Sequence, residues 1–341
     1  MDVAFLLPAI HTHPTGGNVY NRRLFRGLRP DAQVQRYVWT DDERPIPSEA
    51  PDVILVDSML VREAADLRVV RTAHPTALLV MVAHYLQLID PNATSSRAAR
   101  EELEQLNQFD GAITTSQFVR SGLVAHGMPP ARVLTAPPGL DDDYRASLPE
   151  RSQDGPPHLL TVASVTPEKG FDTLVHAAER LADCAWRWTV VGSRRLEADY
   201  ASAVRERLRR SPVGGRVTLR GSLPGKAVRA AYDAADIYVH PSPFETRSMA
   251  TREAMARGLP VVAFAVGGLP ENFSPATEEG LLVSPDASEA FIQAVRRLVM
   301  RPEQRRTMGA AARATSQGFP SWAETAEAVK DRLQQWLREV R

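Results

Sequence analysis

One cysteine, Cys184, stands in 341 residues, so no internal disulfide can form and nothing in the chain calls for an oxidising compartment. Lysine is nearly absent too: Lys169, Lys226 and Lys330 stand beside 38 arginines. No stretch stays apolar for the ~20 residues that a membrane-crossing helix requires. The opening MDVAFLLPAI carries Asp2 where a signal peptide has a basic flank, and Pro8 and His11 cut the run short. It reads as a buried first strand, and the expected location is cytoplasmic. Net charge is zero, with a pI of about 7.1 and no basic stripe, which argues against nucleic acid as the main partner.

What is present suits a folded soluble chain. Hydrophobic residues make up 43% and charged residues 24%, far from the signature of disorder, and the length suffices for two or three domains. The charge is unevenly spread. Residues 1–155 hold 15 Arg and no Lys against 20 acids, whereas residues 156–341 hold 26 basic residues against 21 acids. The back half therefore favours an anionic ligand.

Apolar runs alternate with amphipathic segments nearly end to end, the pattern of parallel α/β sheets. Strands are expected at 3–7, 34–39, 53–56, 77–82, 112–114 and 133–135, with helices at 18–29, 58–68, 95–108 and 116–126. The stretch at 140–158 is polar, rich in Pro, Gly and Asp, and aperiodic, so it reads as a linker. The pattern then restarts, with strands at 159–163, 188–191, 217–219, 237–240, 261–264 and 281–283. Helices are expected near 170–182, 197–210, 225–235, 248–257, 287–300 and 302–316. A last amphipathic segment, 321–338, has Ser321 as its N-cap and carries Trp322, Val329, Leu333 and Leu337 at helical spacing. The expected division is an N-terminal domain at 1–155, a second domain at 156–318 and a helix at 319–341 that crosses back to pack on the first. Two doubly wound Rossmann-like domains place ligands at the carboxyl ends of their strands, facing a cleft, so the chemistry is sought in the strand-to-helix loops.

Three such loops stand out. After the first strand, Gly16 and Gly17 immediately precede a helix beginning near Asn18, which suits phosphate on unpaired N–H groups or an ordinary turn. After the first strand of the second half, Lys169 and Gly170 stand where strand gives way to helix, so the ammonium is placed for a diphosphate or for solvent. The richest stretch is HPSPFETRSMATREAMARGLPVVAFAVGGLPE, at 240–271. Glu245 follows a strand, and Glu253 lies eight residues on, about one turn into a helix. Carboxylates accept two hydrogen bonds at once and so suit vicinal diols. Ser248 and Met249 place backbone N–H groups between them. The alternative for Glu253 is a surface pair with Arg257 at i, i+4.

With these residues the chain resembles the retaining family 4 glycosyltransferases, which have the GT-B fold. The resemblance runs through nearly the whole chain. Its most specific element is the Glu-x7-Glu pattern from Glu245 to Glu253, followed by AMARGLPVVA and GGLPE. Lys169-Gly170, the early Gly pair, the segment 114–141 and FPSW before the last helix support it. The resemblance implies a nucleotide-diphosphate sugar as donor, with a UDP-sugar favoured and a GDP-sugar next, bound mainly by the second domain. The acceptor, a small soluble hydroxyl compound, would lie on the first.

By the same resemblance Glu253 holds the ribose hydroxyls, Glu245 the donor sugar near its 3-hydroxyl, and Lys169 the diphosphate. Backbone N–H groups around Arg247, Ser248 and Met249 steady the sugar and phosphates, Gly16 and Gly17 close from the other side, and His84 lines the donor sugar. Two positions depart from the family's pattern. Ser164 stands where an Arg usually precedes the lysine by five residues, and Ser248 stands near a usual Gly. Losing a bidentate phosphate ligand weakens donor binding or shifts the burden to Lys169 and Arg247. The family transfers the sugar with retention, and the departing diphosphate helps deprotonate the acceptor. No catalytic base is assigned, and Lys169 with the helix N-termini stabilises the leaving group, each donor being worth roughly 3 to 4 kcal/mol by analogy with oxyanion holes.

No cofactor and no metal are expected. Asp141 to Asp143 lie in the linker, and helix-terminal phosphate sites replace a metal here. His11 and His13 lack a third ligand. Arg22, Arg23, Arg26 and Arg29 sit in a net acidic domain, which favours a solvated helix over a lipid surface, though peripheral membrane contact stays open. Two other classes remain beside the transferase: a non-catalytic or weakly active sugar-nucleotide binding protein, suggested by Ser164 and Ser248, and a GT-B epimerase or phosphorylase.

Overall fold

The computed structural model describes every residue except 13–14, 63–65, 150–154 and 341, and at 11, 12 and 62 it describes the backbone alone. The chain divides into two compact units, Met1–Gly139 with Pro320–Arg341, and Leu140–Phe319. The His11/His13 pair considered above lies outside the described side chains.

The first unit holds a parallel six-stranded sheet of β1 (Asp2–Pro8), β2 (Gln33–Trp39), β3 (Val53–Asp57), β4 (Leu78–Ala83), β5 (Gly111–Thr114) and β6 (Val133–Thr135), in the order β2-β1-β3-β4-β5-β6. The apolar runs follow from burial on both faces. Alternate side chains divide cleanly: Ala4, Leu6, Ile54, Val56, Leu79 and Met81 join one apolar cluster, while Val3, Phe5, Leu7, Val53, Leu55 and Val80 join the other. The second cluster is covered by the helices Gly16–Leu28 and Trp322–Val340.

That C-terminal helix starts with a capping box. Glu324 N donates to Ser321 Oγ at 3.2 Å, and Ser321 N donates to Glu324 Oε2 at 2.6 Å. Trp336 is fully buried and donates its indole N–H to Ala131 O at 3.1 Å. The helix comes so close to Gly16–Leu28 that a Cβ on Gly27 would lie 2.4 Å from Ala326 Cβ. No described helix is long and apolar enough to cross a membrane.

The second unit repeats the plan with β7 (His158–Val162), β8 (Arg187–Val191), β9 (Val217–Leu219), β10 (Ile237–His240), β11 (Val261–Phe264) and β12 (Gly280–Val283), in the order β12-β11-β10-β7-β8-β9. Leu159, Trp188, Val190, Ile237 and Val262 face one cluster, and Leu160, Val191, Tyr238, Val261 and Ala263 the other.

The boundary between units falls at Gly139/Leu140, earlier than the expected 155/156. Leu140 and Tyr144 bury themselves in the second unit's core, and Asp142–Arg145 forms a short helix inside the stretch read as linker. Arg257 and Arg313 hold it there by donating to the carbonyls of Tyr144 and Ala146. Phe319, expected at the head of the crossing helix, packs with the second unit instead. The single helix expected at 58–68 is two described pieces, Ser58–Arg62 and Arg68–Ala73.

Candidate active site

In the second unit the strand order reverses between β7 and β10, the switch point at which doubly wound sheets bind ligands beyond their carboxyl ends. Lys169 follows β7, and Glu245 follows β10. Lys169 ends a short 3-10 turn, Pro167–Lys169, and Gly170 then takes φ +70° to start the helix Phe171–Arg180. Only glycine fits there, because a Cβ would sit 1.9 Å from Pro241 O. The close approach brings Lys169 Nζ to Glu245 Oε1 at 2.6 Å.

His240, at the end of β10 and buried, places Nε2 3.0 Å from the same oxygen, while its Nδ1 lies 3.3 Å from the Tyr238 hydroxyl. Burial would raise the Glu245 carboxyl, but the Lys169 ammonium and His240 outweigh it and hold the group well below the usual carboxylate range. Both contacts fall on Oε1, so among the described residues Oε2 is the oxygen left for a hydroxyl. An ammonium has three donors, so Lys169 can hold Glu245 and an anion together.

Glu253 lies in the helix Met249–Ala256. Its Oε2 accepts from the Tyr232 hydroxyl at 3.0 Å, and the Tyr144 hydroxyl also favours the ionised carboxylate. Burial raises its pKa to about 7, and the negative charge of Asp141 adds to the rise against the pull of the two tyrosine hydroxyls. Arg257 pairs with Asp233 at 2.6 Å instead of with Glu253. The surface i, i+4 pair does not form. Tyr238, buried between, has its hydroxyl pushed far up first by burial and then by both Glu245 and Glu253. The two carboxylates therefore flank one buried tyrosine.

The helix N-terminus between them is strained. Ser248 adopts φ +61°, and its Oγ caps the helix by accepting from Thr251 N at 3.4 Å. That left-handed backbone is where glycine is at ease, which gives a physical sense to the family's usual Gly. By position, the N–H groups of Met249 and Ala250 lack intrahelical acceptors. The loop after β11 braces this corner: Gly268 N donates to Glu245 O at 2.9 Å, Asn272 Nδ2 to Arg247 O at 2.6 Å, and Arg247 Nη1 to Glu271 Oε2 at 2.6 Å. Arg247 thus has its side chain committed to Glu271, and its backbone is what faces the helix start. Ser164 lies in the loop after β7, where its carbonyl accepts from Thr166 N at 3.0 Å.

In the first unit the sheet order reverses between β1 and β3. Gly16 and Gly17 form the first turn of the helix Gly16–Leu28, and Thr15 Oγ1 caps it by accepting from Asn18 N at 3.3 Å. A Cβ on Gly17 would approach the His84 ring to 3.0 Å, so the glycine pair and His84 are one constellation. Asn21, on that helix, donates its amide N–H to Asp57 Oδ2, and its Oδ1 lies 2.7 Å from His84 Nε2. An amide oxygen accepts only, so Nε2 carries the proton and Nδ1 is left as the acceptor. Burial lowers the His84 pKa, opposed by the charge of Asp57, and the ring is neutral.

Residues 156–301 match the family model of the glycosyl transferases, group 1. The D-inositol 3-phosphate glycosyltransferase of Corynebacterium aurimucosum is 30% identical over 286 residues, covering 80% of this chain and 67% of that protein. The chain belongs to the group 1 glycosyl transferases. The 2-deoxystreptamine glucosyltransferase of Streptomyces kanamyceticus is 31% identical over 183 residues, 53% of this chain and 45% of that protein. Among the first four curated relatives, this group 1 chain spans between 52% and 67% of their lengths. The fold is GT-B. A sucrose-phosphate synthase from Thermosynechococcus elongatus superposes with a TM-score of 0.82 at 22% identity, covering 98% of this chain and 99% of that one. Anabaena HepE, solved with UDP-glucose, gives 0.80 at 18% identity, covering 98% and 100%.

No motif in the sequence gives a role to His240, Tyr232, Tyr144, Asn21, Asp57 or Glu271, and Tyr144 and Asp141 lie in the stretch that reads as a linker. His240 and Asp57 each close an apolar strand run, the one local signal that marks them.

Proposed function

We propose that the protein is a retaining glycosyltransferase that moves a sugar from a nucleotide diphosphate, UDP before GDP, to the hydroxyl of a small soluble acceptor without a metal. The observation that carries this reading is the Lys169–Glu245 pair at the second unit's switch point, with the buried Glu253 about one turn into the helix that follows. Glu253 accepts from the ribose diol, the donor sugar hydroxyl near position 3 takes Glu245 Oε2, and Lys169 with the amides around Arg247, Ser248 and Met249 receives the diphosphate. As the bond to the sugar breaks, charge collects on that diphosphate, and these donors stabilise it without reorganising. The diphosphate then serves as base for the acceptor. HepE's UDP-glucose and the Glu-x7-Glu pattern support the donor class.

We assign acceptor recognition to the first unit, where Gly16, Gly17 and the fixed Nδ1 of His84 come together. The net acidity of residues 1–155 favours a neutral or cationic acceptor, and one relative's name mentions 2-deoxystreptamine. We place the reaction in the cytoplasm.

The test is incubation with UDP-glucose and a panel of amino and neutral polyols, following UDP release and reading the product's anomeric configuration by NMR. The expected product keeps the α-configuration. Inversion would overturn the mechanism. Tight nucleotide binding with no turnover on any acceptor would favour a binding protein, which the Ser at 164 and the strained Ser248 would then explain.

A further inference from the structure

A hollow of about 590 Å³ opens in the second unit beside the carboxyl ends of β8 and β9. Its polar lining is Arg194, Arg195, Arg205 and Arg220 with Ser193, Ser202 and Ser222, and no Asp or Glu contributes to it. Among the described residues none of these four arginines has an ion pair. The contrast lies on one helix, Ala198–Arg210: Arg207 pairs with Glu179 and Asp172, and Arg209 and Arg210 pair with Glu206, while Arg205 faces the hollow with no such partner. Glu197 and Asp199 are close in sequence but do not line it.

The floor of the hollow is built, not loose. Val165 N donates to Ser193 O at 2.8 Å and Gly192 N to Gly221 O at 3.0 Å, which ties the loop after β8 to the loops on both sides. Arg194 lies across Gly221, whose φ of +74° favours glycine; a Cβ there would meet Arg194 Nε and Nη2 at 3.5 Å, an ordinary packing distance. Four uncompensated cations around one hollow repel one another, and an anion relieves the repulsion. Guanidinium forks match phosphoryl oxygens two at a time. The volume falls within the range of small-molecule sites and exceeds what one phosphoryl group fills.

We propose that this hollow binds an oligophosphate, two or more phosphoryl groups in a chain, at a site separate from that of the sugar donor. The sheet order puts β8 and β9 to one side of β7, so none of the lining residues is shared with the Lys169, Glu245 and Glu253 set. The inference does not depend on the proposed transferase activity. The chain of phosphates comes either free or as the triphosphate of a nucleotide.

Calorimetric titration of the full chain with sodium tripolyphosphate, and separately with ATP, at low and high salt tests it. The variants are Arg194→Ala/Arg205→Ala, both exposed positions, and Lys169→Ala. Tripolyphosphate should saturate the wild type with an affinity that falls as salt rises, and the double variant should weaken it by about tenfold or more. UDP affinity of the double variant should stay within about twofold of wild type, and Lys169→Ala should leave tripolyphosphate binding unchanged. ATP that displaces tripolyphosphate and fails on the double variant identifies a nucleotide as the source; ATP that does not displace it identifies the free chain. No binding to the wild type, unchanged binding to the double variant, or loss of binding in Lys169→Ala overturns the proposal.

Discussion

Glu253 is the residue whose protonation links structure to binding. Burial holds its pKa at about 7, so near neutrality half the molecules carry the acid form, which can accept fewer hydroxyl hydrogen bonds. Nucleotide affinity should rise with pH through about 7 and become flat in Glu253→Gln, measured by titration across that range. Stability runs the other way. A carboxyl whose folded pKa lies above its unfolded value stabilises the fold at low pH, and that contribution is lost as pH rises from the ordinary carboxylate range through about 7. Glu245, held low, has the opposite sign: its contribution is present above the ordinary range and is lost on acidification.

Arg252, one position before Glu253, is fully buried over the Phe319 ring at 4.1 Å, and none of its three guanidinium nitrogens has a hydrogen-bond partner among the described residues. Burial, then the charges of Arg247 and Arg145, lowers its pKa to about 9. A buried cation without a partner costs more than an apolar side chain of similar volume, so Arg252→Met should stabilise the fold by about 1 to 3 kcal/mol in urea unfolding. A loss of stability would show that the ring contact outweighs the lost hydration.

Elements explain why these residues meet. Gly170 lets the turn after β7 rest on Pro241, and Gly170→Ala combines a collision at 1.9 Å with an unfavourable φ. It should cost about 3 kcal/mol or more and separate Lys169 from Glu245. Ser248→Gly is its counterpart. Relief of about 1 kcal/mol of strain offsets the lost cap and the added chain entropy, so the melting temperature should change little.

The twelve described strands lie within a residue or so of the ranges read from the sequence; the central ones, such as Val53–Asp57 and Leu78–Ala83, are buried apolar runs bounded by turns, while the partly exposed strand Gln33–Trp39 is marked by its β-branched and aromatic residues. The Asp142–Arg145 helix escaped notice because its burial is carried by two residues, Leu140 and Tyr144, amid polar neighbours. The sequence places Lys169 where a strand gives way to a helix and Glu253 about one turn into the next helix, and the structure has them at those positions. The Tyr232–Glu253 and Asp57–Asn21–His84 contacts join residues more than 20 apart, and nothing periodic marks them.

At the scale of the whole molecule, the first unit is made from both ends of the chain. Removing residues 320–341 would bare the face covered by Ala326, Val329, Leu333 and Trp336. The expected result is loss of the first unit's unfolding transition while the second unit, continuous from Leu140 to Phe319, keeps its own; differential scanning calorimetry reads both.

The proposed function rests on nucleotide diphosphate binding at the second unit's switch point. Titration of the protein with UDP, GDP, ADP and TDP without added metal, beside Glu253→Ala and Lys169→Ala, tests it most directly. UDP should bind tightest, and each substitution should weaken it by about tenfold or more while the melting temperature shows the fold intact. UDP affinity unchanged in both folded variants would contradict it.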